Sequence, residues 1–116
     1  MRMMLKAVMD TATGNAAIAD GSLGQSVGRL VEMLHPEASY FFSEDGQRSC
    51  FMVFDMTDSA DIPPIAEPLF MEMGAKVTFA PCMNVEDMQK GLARVQATAG
   101  NRIADVVPAP AGAGIG

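Results

Sequence analysis

The sequence predicts an α+β fold in which one antiparallel sheet is covered on one face by helices. Three observations lead there. Strand-like and helix-like segments follow one another as strand–helix–strand–strand–helix–strand, with a further helix after the last strand. The run 49–56, Ser-Cys-Phe-Met-Val-Phe-Asp-Met, is apolar on both sides of a strand: Cys50, Met52, Phe54 and Met56 point one way, Phe51 and Val53 the other. A half-buried strand would instead alternate apolar with polar residues. Finally, 116 residues make one domain, whose helices suffice for one sheet face only. The second face needs a partner, and another copy of the chain is the simplest choice.

Taken in order, residues 3–10 read as the first strand. Thr11-Ala12-Thr13-Gly14-Asn15 reads as a break, followed by one short helical turn over 15–20. From Ser22 the period is helical: Leu23, Val27, Leu30 and Leu34 fall at i, i+4, i+7 and i+11, and Val31 widens the stripe. Asp20 or Ser22 caps the start. Pro36 stops the helix, because the residue before a proline is pushed out of the α region. Gly24 and Gly28 fall inside it and are expected to bring it close to the sheet.

Residues 38–43, with Tyr40, Phe41 and Phe42, read as the second strand. Asp45-Gly46 is a hairpin signal, and residues 48–56 return as the third strand. Asp58, Ser59 and Asp61 are suitable caps, and Pro63 and Pro64 fit a first helical turn, where a missing N–H costs nothing. Ile62, Ile65, Ala66, Leu69 and Phe70 form the stripe of the second main helix, which Met73 extends. Pro68 predicts a kink or a late start in it, and Gly74 a left-handed end. Residues 75–83 read as the fourth strand. Asn84, with Asp87 three residues on, caps a short helix carrying Met88, Leu92 and Val95. Beyond residue 97 the composition shifts, ending in Pro108-Ala109-Pro110-Ala111-Gly112-Ala113-Gly114. This divides the chain into a domain, 1–97, and a Pro/Ala/Gly-rich tail, 98–116, expected to dock weakly because ordering it costs entropy and buries little.

The order is that of a ferredoxin-like βαββαβ sandwich with an extra C-terminal helix. Right-handed crossovers place both main helices on one side, with the first and third strands central. Those are the strands with apolar residues on both faces, so pattern and topology agree. Met4, Val8, Phe51 and Val53 are the residues expected at a sheet-to-sheet homodimer contact.

Several functions are disfavoured. A net charge of −6 with eight scattered basic residues suits neither nucleic acid nor an anionic membrane. No apolar run reaches the ~18 residues of a membrane span. The start of the chain, with Arg2 and Lys6 in its apolar stretch, does not read as a secretory signal. Cys50 and Cys82 in apolar strand contexts read as free thiols of a cytoplasmic protein. The single histidine and the absence of paired cysteines predict no metal and no haem, and no cofactor motif is present.

Certain segments carry a resemblance. They are Gly14-Asn15 with Ile18 and Gly21, His35-Pro36-Glu37-Ala38, Asp45-Gly46-Gln47-Arg48, and Val53-Phe54-Asp55-Met56. Ile65-Ala66-Glu67-Pro68-Leu69-Phe70 and Pro81-Cys82-Met83-Asn84 complete the set. In these the chain resembles a bacterial domain family of unknown function within the dimeric α+β barrel group. The resemblance implies a ferredoxin-like fold that dimerises through its sheets. The wider group includes cofactor-independent oxygenases, isomerases, dye-decolourising haem enzymes and small-molecule sensors, and fold alone selects none of them.

Four side chains are weak catalytic candidates. His35 ends the first main helix, where the helix dipole favours an imidazolium. Asp10 and Asp55 lie on strand faces near Lys6, Lys76 and Thr78, and inward charges that converge could bind a polar ligand or move protons. Tyr40 could orient a ligand between sheet and helices. Each also has a plain structural reading, as a helix end, a strand end or an edge aromatic. The eleven methionines follow apolar faces and read as adaptable core filler, not as a copper site. The expected function is binding of a small apolar molecule between sheet and helices. The alternatives are a cofactor-independent oxygenase or isomerase of an aromatic or polyketide-like substrate, and a structural or regulatory interaction protein.

Overall fold

In the computed structural model the backbone is described for residues 1–106 and the side chains for residues 1–98. The chain divides after Cys82 into two compact units.

The first unit holds one sheet of four strands: β1 (Arg2–Val8), β2 (Ala38–Glu44), β3 (Gln47–Asp55) and β4 (Lys76–Pro81). Their order is β2-β3-β1-β4, and every neighbouring pair is antiparallel. As expected, β1 and β3 take the centre. The three helices of the unit are α1 (Thr11–Ala19), α2 (Ser22–Leu34) and α3 (Ile62–Met73).

Alternation fixes which face is buried. Met3, Leu5 and Ala7 of β1 stand opposite Phe54, Met52 and Cys50 of β3, and Leu5 also stands opposite Phe79 of β4. These residues pack with Leu30 and Leu34 of α2 and with Ile65 and Leu69 of α3 into one core. Leu5 and Met52 are completely buried at its centre, which contributes about 1.5–3 kcal/mol for each side chain. The other face carries Met4, Lys6 and Val8 opposite Val53, Phe51 and Ser49. Tyr40 and Phe42 of β2 lie in line with it, opposite Phe51 and Ser49. Met4, Val8, Phe51 and Val53 are only half-buried.

Local signals act as their chemistry dictates. Asp45 and Gly46 adopt φ 51° and φ 76°, the paired left-handed conformation that matches the twist of a tight hairpin. Gly74 ends α3 at φ 54°. Asp58 caps a 3-10 turn, Ser59–Asp61, that leads into α3.

The structure corrects five local expectations. Neither Asp20 nor Ser22 is the N-cap of α2: Gly21 takes that place at φ 79°, with no side-chain cap, and Asp20 Oδ1 accepts from the Ser22 N–H at 2.8 Å. Thr11 to Asn15 are not a break: they form the first half of α1, with the Asp10 carboxylate accepting from the Thr13 N–H at 3.0 Å. α3 starts at Ile62 and runs through Pro68, with no late start. Pro64 and Pro68 are both exposed, so the carbonyl that Pro68 leaves unbonded meets water. Gly24 and Gly28 do not bring α2 to the sheet, since both are exposed and a Cβ at either would meet nothing within 4 Å. The last helix is longer than expected: α4 (Val85–Val106) has 22 residues.

α4 belongs to the second unit. The Asn84 N–H donates to Asp87 Oδ2 at 3.2 Å and the Asp87 N–H to Asn84 Oδ1 at 2.8 Å, so both arms of a capping box form. Val85, Met88, Leu92 and Val95 recur along it at steps of three and four. The expected boundary at residue 98 falls inside α4, while the Pro/Ala/Gly-rich stretch 108–114 lies outside the described residues.

Candidate functional site

The helix-covered face of the sheet does not close completely. A cavity of about 250 Å³ lies between it and α2 and α3. Ala7 and Cys50 form its floor, Leu23, Val27 and Leu30 come from α2, and Leu69 and Met73 from α3. Phe41 of the edge strand β2 also lines it, and Phe42, which alternation assigns to the other face, borders it at the sheet edge; both are exposed. The opening follows from the topology: the helices cover the central strands, and β2 at the edge leaves its aromatic residues partly in solvent.

One end is polar. Arg48, exposed at the start of β3, lines the cavity beside Met9. Its Nη2 donates to Asn15 Oδ1 at 3.0 Å. The guanidinium passes over α1 where Gly14 stands: an ideal Cβ there would lie 2.8 Å from Arg48 Nη1 and 2.6 Å from Met9 Sδ. The glycine thus makes room for both side-chain ends. Gln47 steadies the same corner by donating from Nε2 to the Met9 carbonyl at 3.3 Å.

The other polar groups at the cavity are occupied or neutral. Ser26 Oγ accepts from Arg29 Nη2 at 3.2 Å. Ser49 Oγ donates to the Gln47 carbonyl at 3.1 Å. Burial pushes the Cys50 thiol above its ordinary pKa, partly offset by a hydrogen bond from the Ala7 backbone. Cys50 is therefore a neutral lining group and not a thiolate nucleophile. Among the described residues no acidic side chain lines the cavity.

The four candidates from the sequence lie apart from it and from one another. Asp10 is the N-cap of α1; hydrogen bonds from the Thr13 backbone and hydroxyl hold its carboxyl below the usual range. Asp55 accepts from the chain's N-terminal ammonium at 2.7 Å, which lowers its pKa in the same way. Tyr40 lies on the opposite sheet face from the cavity and is 64% exposed. His35 ends α2 in a left-handed conformation, φ 44°, its N–H donating to the Val31 carbonyl. The suspected convergence of charges does not form at the cavity: Lys6 pairs with Glu44 and Asp55 with the N-terminus, while Arg2, bonded to Glu37, also bears on Asp55.

No protein-family model and no curated protein matches the chain. Among solved structures it is similar to a de novo designed protein, Ferredog-Diesel, at 9% identity and a TM-score of 0.42, over 70% of this chain and 85% of that one. Among the described residues no three His, Cys, Asp or Glu side chains are placed to hold a metal ion, and no helix is long and apolar enough to cross a membrane.

Arg48, Met9 and Gly14 were not among the sequence candidates. Gly14-Asn15 and Gln47-Arg48 do appear in the segments that carry the family resemblance. Nothing in a single sequence says that these segments, more than thirty positions apart, meet: the Arg48–Asn15 bond spans 33 residues.

Proposed function

We propose that the protein binds a small, largely apolar molecule in the cavity between sheet and helices, and that it works as a homodimer. The observation that carries the reading is the cavity itself, about 250 Å³ bounded by aliphatic, aromatic and methionine side chains with no carboxylate. Such sites combine an apolar lining with few polar groups. The Cys50 thiol is neutral, and the acid–base candidates Asp10, Asp55, Tyr40 and His35 do not face the cavity, which favours binding over proton-transfer catalysis. Two free cysteines are in keeping with a reducing, cytoplasmic setting.

The dimer reading rests on the second sheet face. Met4, Val8, Phe51 and Val53 lie outside the helix-packed core and form, around the Lys6–Glu44 ion pair, a largely apolar sheet face in line with Tyr40 and Phe42. Apolar surface of this kind marks an interaction site. Two such faces packed together give the dimeric α+β barrel arrangement.

Native mass spectrometry of freshly purified protein tests both parts. The expected spectrum is a dimer retaining a small molecule. Monomer alone overturns the dimer. No uptake of any apolar probe, by a subsequent ligand titration, overturns the binding reading.

A further inference from the structure

We infer that the ligand of this cavity is an amphiphilic anion, a medium-chain or aryl-alkyl monocarboxylate, whose head is held by Arg48. The inference rests on the binding reading above and names its ligand class.

Arg48 has five N–H donors in a planar fork. Among the described residues it makes one hydrogen bond, to the neutral amide of Asn15, and forms no ion pair. Arg2, Lys6 and Arg29 are each paired with a carboxylate, while Arg48, like Lys76, Lys90 and Arg94, is not; of these four cations Arg48 is the one that lines the cavity. It is also the cavity-lining group with spare polar capacity, since Ser26 and Ser49 already have partners and Cys50 is a neutral thiol.

The neighbours of Arg48 set its position. Asn15 fixes one terminal nitrogen, and Gly14 provides the space in which the guanidinium lies. The remaining donors are free to take a carboxylate in the two-pronged geometry that makes arginine–carboxylate pairs strong. Among the described residues no acidic side chain lines the cavity to repel an anion. Beyond Arg48 the walls are almost wholly apolar, so an inorganic anion or a polar metabolite would gain nothing from them. Head and body of the ligand must therefore differ: charged at the rim, apolar inside.

The cavity suits a small body. Its volume, about 250 Å³, lies near the lower end of small-molecule pockets, roughly 300–1,000 Å³, the scale of a medium alkyl chain or a phenylalkyl group with its carboxylate at Arg48.

The test uses the full chain and two probes of one length, octanoate and octanol, titrated calorimetrically and followed by the methyl resonances of Met9 and Met73. Octanoate is expected to bind about tenfold more tightly than octanol, the effect of one charge-assisted pair, and to weaken with salt. Arg48→Met should bring octanoate down to octanol and leave octanol unchanged, while Arg48→Lys restores part of the difference. Because Arg48 is exposed, folding of these variants is checked by circular dichroism, and octanol binding reports that the cavity itself is intact. Equal binding of the two probes by the natural chain overturns the anion inference and leaves the cavity reading standing. Binding of neither probe overturns both.

Discussion

The Arg48 guanidinium lies over Gly14 so closely that a Cβ on the glycine would stand 2.8 Å from Nη1. One residue on α1 therefore sets where the cationic end of the cavity sits. Gly14→Ala must move the ends of Arg48 and Met9, both flexible side chains. Alanine also gains up to ~1 kcal/mol of helix propensity over glycine, which offsets the crowding. The expected result is a stability change within about 1 kcal/mol by urea unfolding, with a clear loss of octanoate affinity. Unchanged affinity would show that the position of Arg48 is irrelevant to binding.

Val53 tests the open sheet face. Its β1 neighbour in register is Met4, and two pairs along, on the same face, Arg2 stands opposite Asp55. A charge at Val53 is tolerated at a free surface but is buried without a partner in a sheet-to-sheet dimer, a cost of several kcal/mol. Light scattering should give a dimer for the natural chain and a folded monomer for Val53→Asp. A permanent contact of this type should bury more than ~2,000 Å² in total. A monomeric natural chain at micromolar concentration would remove the basis of this reading.

These features differ in how far they could be read from the sequence. The Asp45-Gly46 hairpin, the α2 stripe of Leu23, Val27, Leu30 and Leu34, and the Gly74 helix end follow from local chemistry, and the structure places them as expected. The two-faced pattern of β3 gave its central place in the sheet, because parity alone assigns Met52 and Phe54 to one side and Phe51 and Val53 to the other. α1 was hidden because two threonines, a glycine and an asparagine are poor helix formers in its first half. Its one local signal was Asp10 three residues before Thr13, an N-cap spacing. The cavity was illegible for a different reason. Its polar end joins α1 to β3, a contact that depends on how the helices cross the sheet, which periodicity does not encode.

The Asp10 cap should be visible in acid. Its folded-state pKa is lowered by the Thr13 hydrogen bonds, so its contribution is complete above the unfolded value, about 3.9, and is lost as pH falls through the folded one. Asp20 and Asp55 shift in the same direction and act in the same window. Melting temperature should thus fall as the pH drops below about 5. Asp10→Asn, which keeps a capping oxygen without the charge, should flatten part of that slope. Asp10→Ala should lower the melting temperature throughout. Identical slopes for the natural chain and Asp10→Asn would show that the cap contributes no titratable stability.

Cys50 acts in the opposite direction. Burial raises its pKa in the folded chain, so its contribution is complete below the unfolded value, about 8.5, and is lost as pH rises through the folded one. Iodoacetamide at neutral pH should modify Cys50 far more slowly than the same residue in the urea-unfolded chain. Octanoate should slow it further, because Cys50 lines the cavity. If bound octanoate left the rate at Cys50 unchanged, the ligand would have to lie elsewhere.

The chain beyond Ala97 offers a last test, of whether the first unit stands without it. The core of the first unit comprises residues from Met3 to Phe79. The sheet is complete at Pro81, and Cys82 donates its backbone N–H to the Arg2 carbonyl, closing the unit. Truncation after Ala97 cuts α4 before its end at Val106 but leaves its capping box, Asn84 with Asp87, in place. Helices of this length draw most of their stability from packing, not from propensity. The truncated and full chains should therefore differ by less than about 2 kcal/mol in urea unfolding, the scale of a serious single-site defect. The octanoate affinity should also be the same, since every residue lining the cavity lies between Ala7 and Ala75. A larger loss of stability with dimerisation abolished would mean that residues 98–116 form part of the subunit contact; a larger loss in a chain that still dimerises would mean that they support the first unit directly.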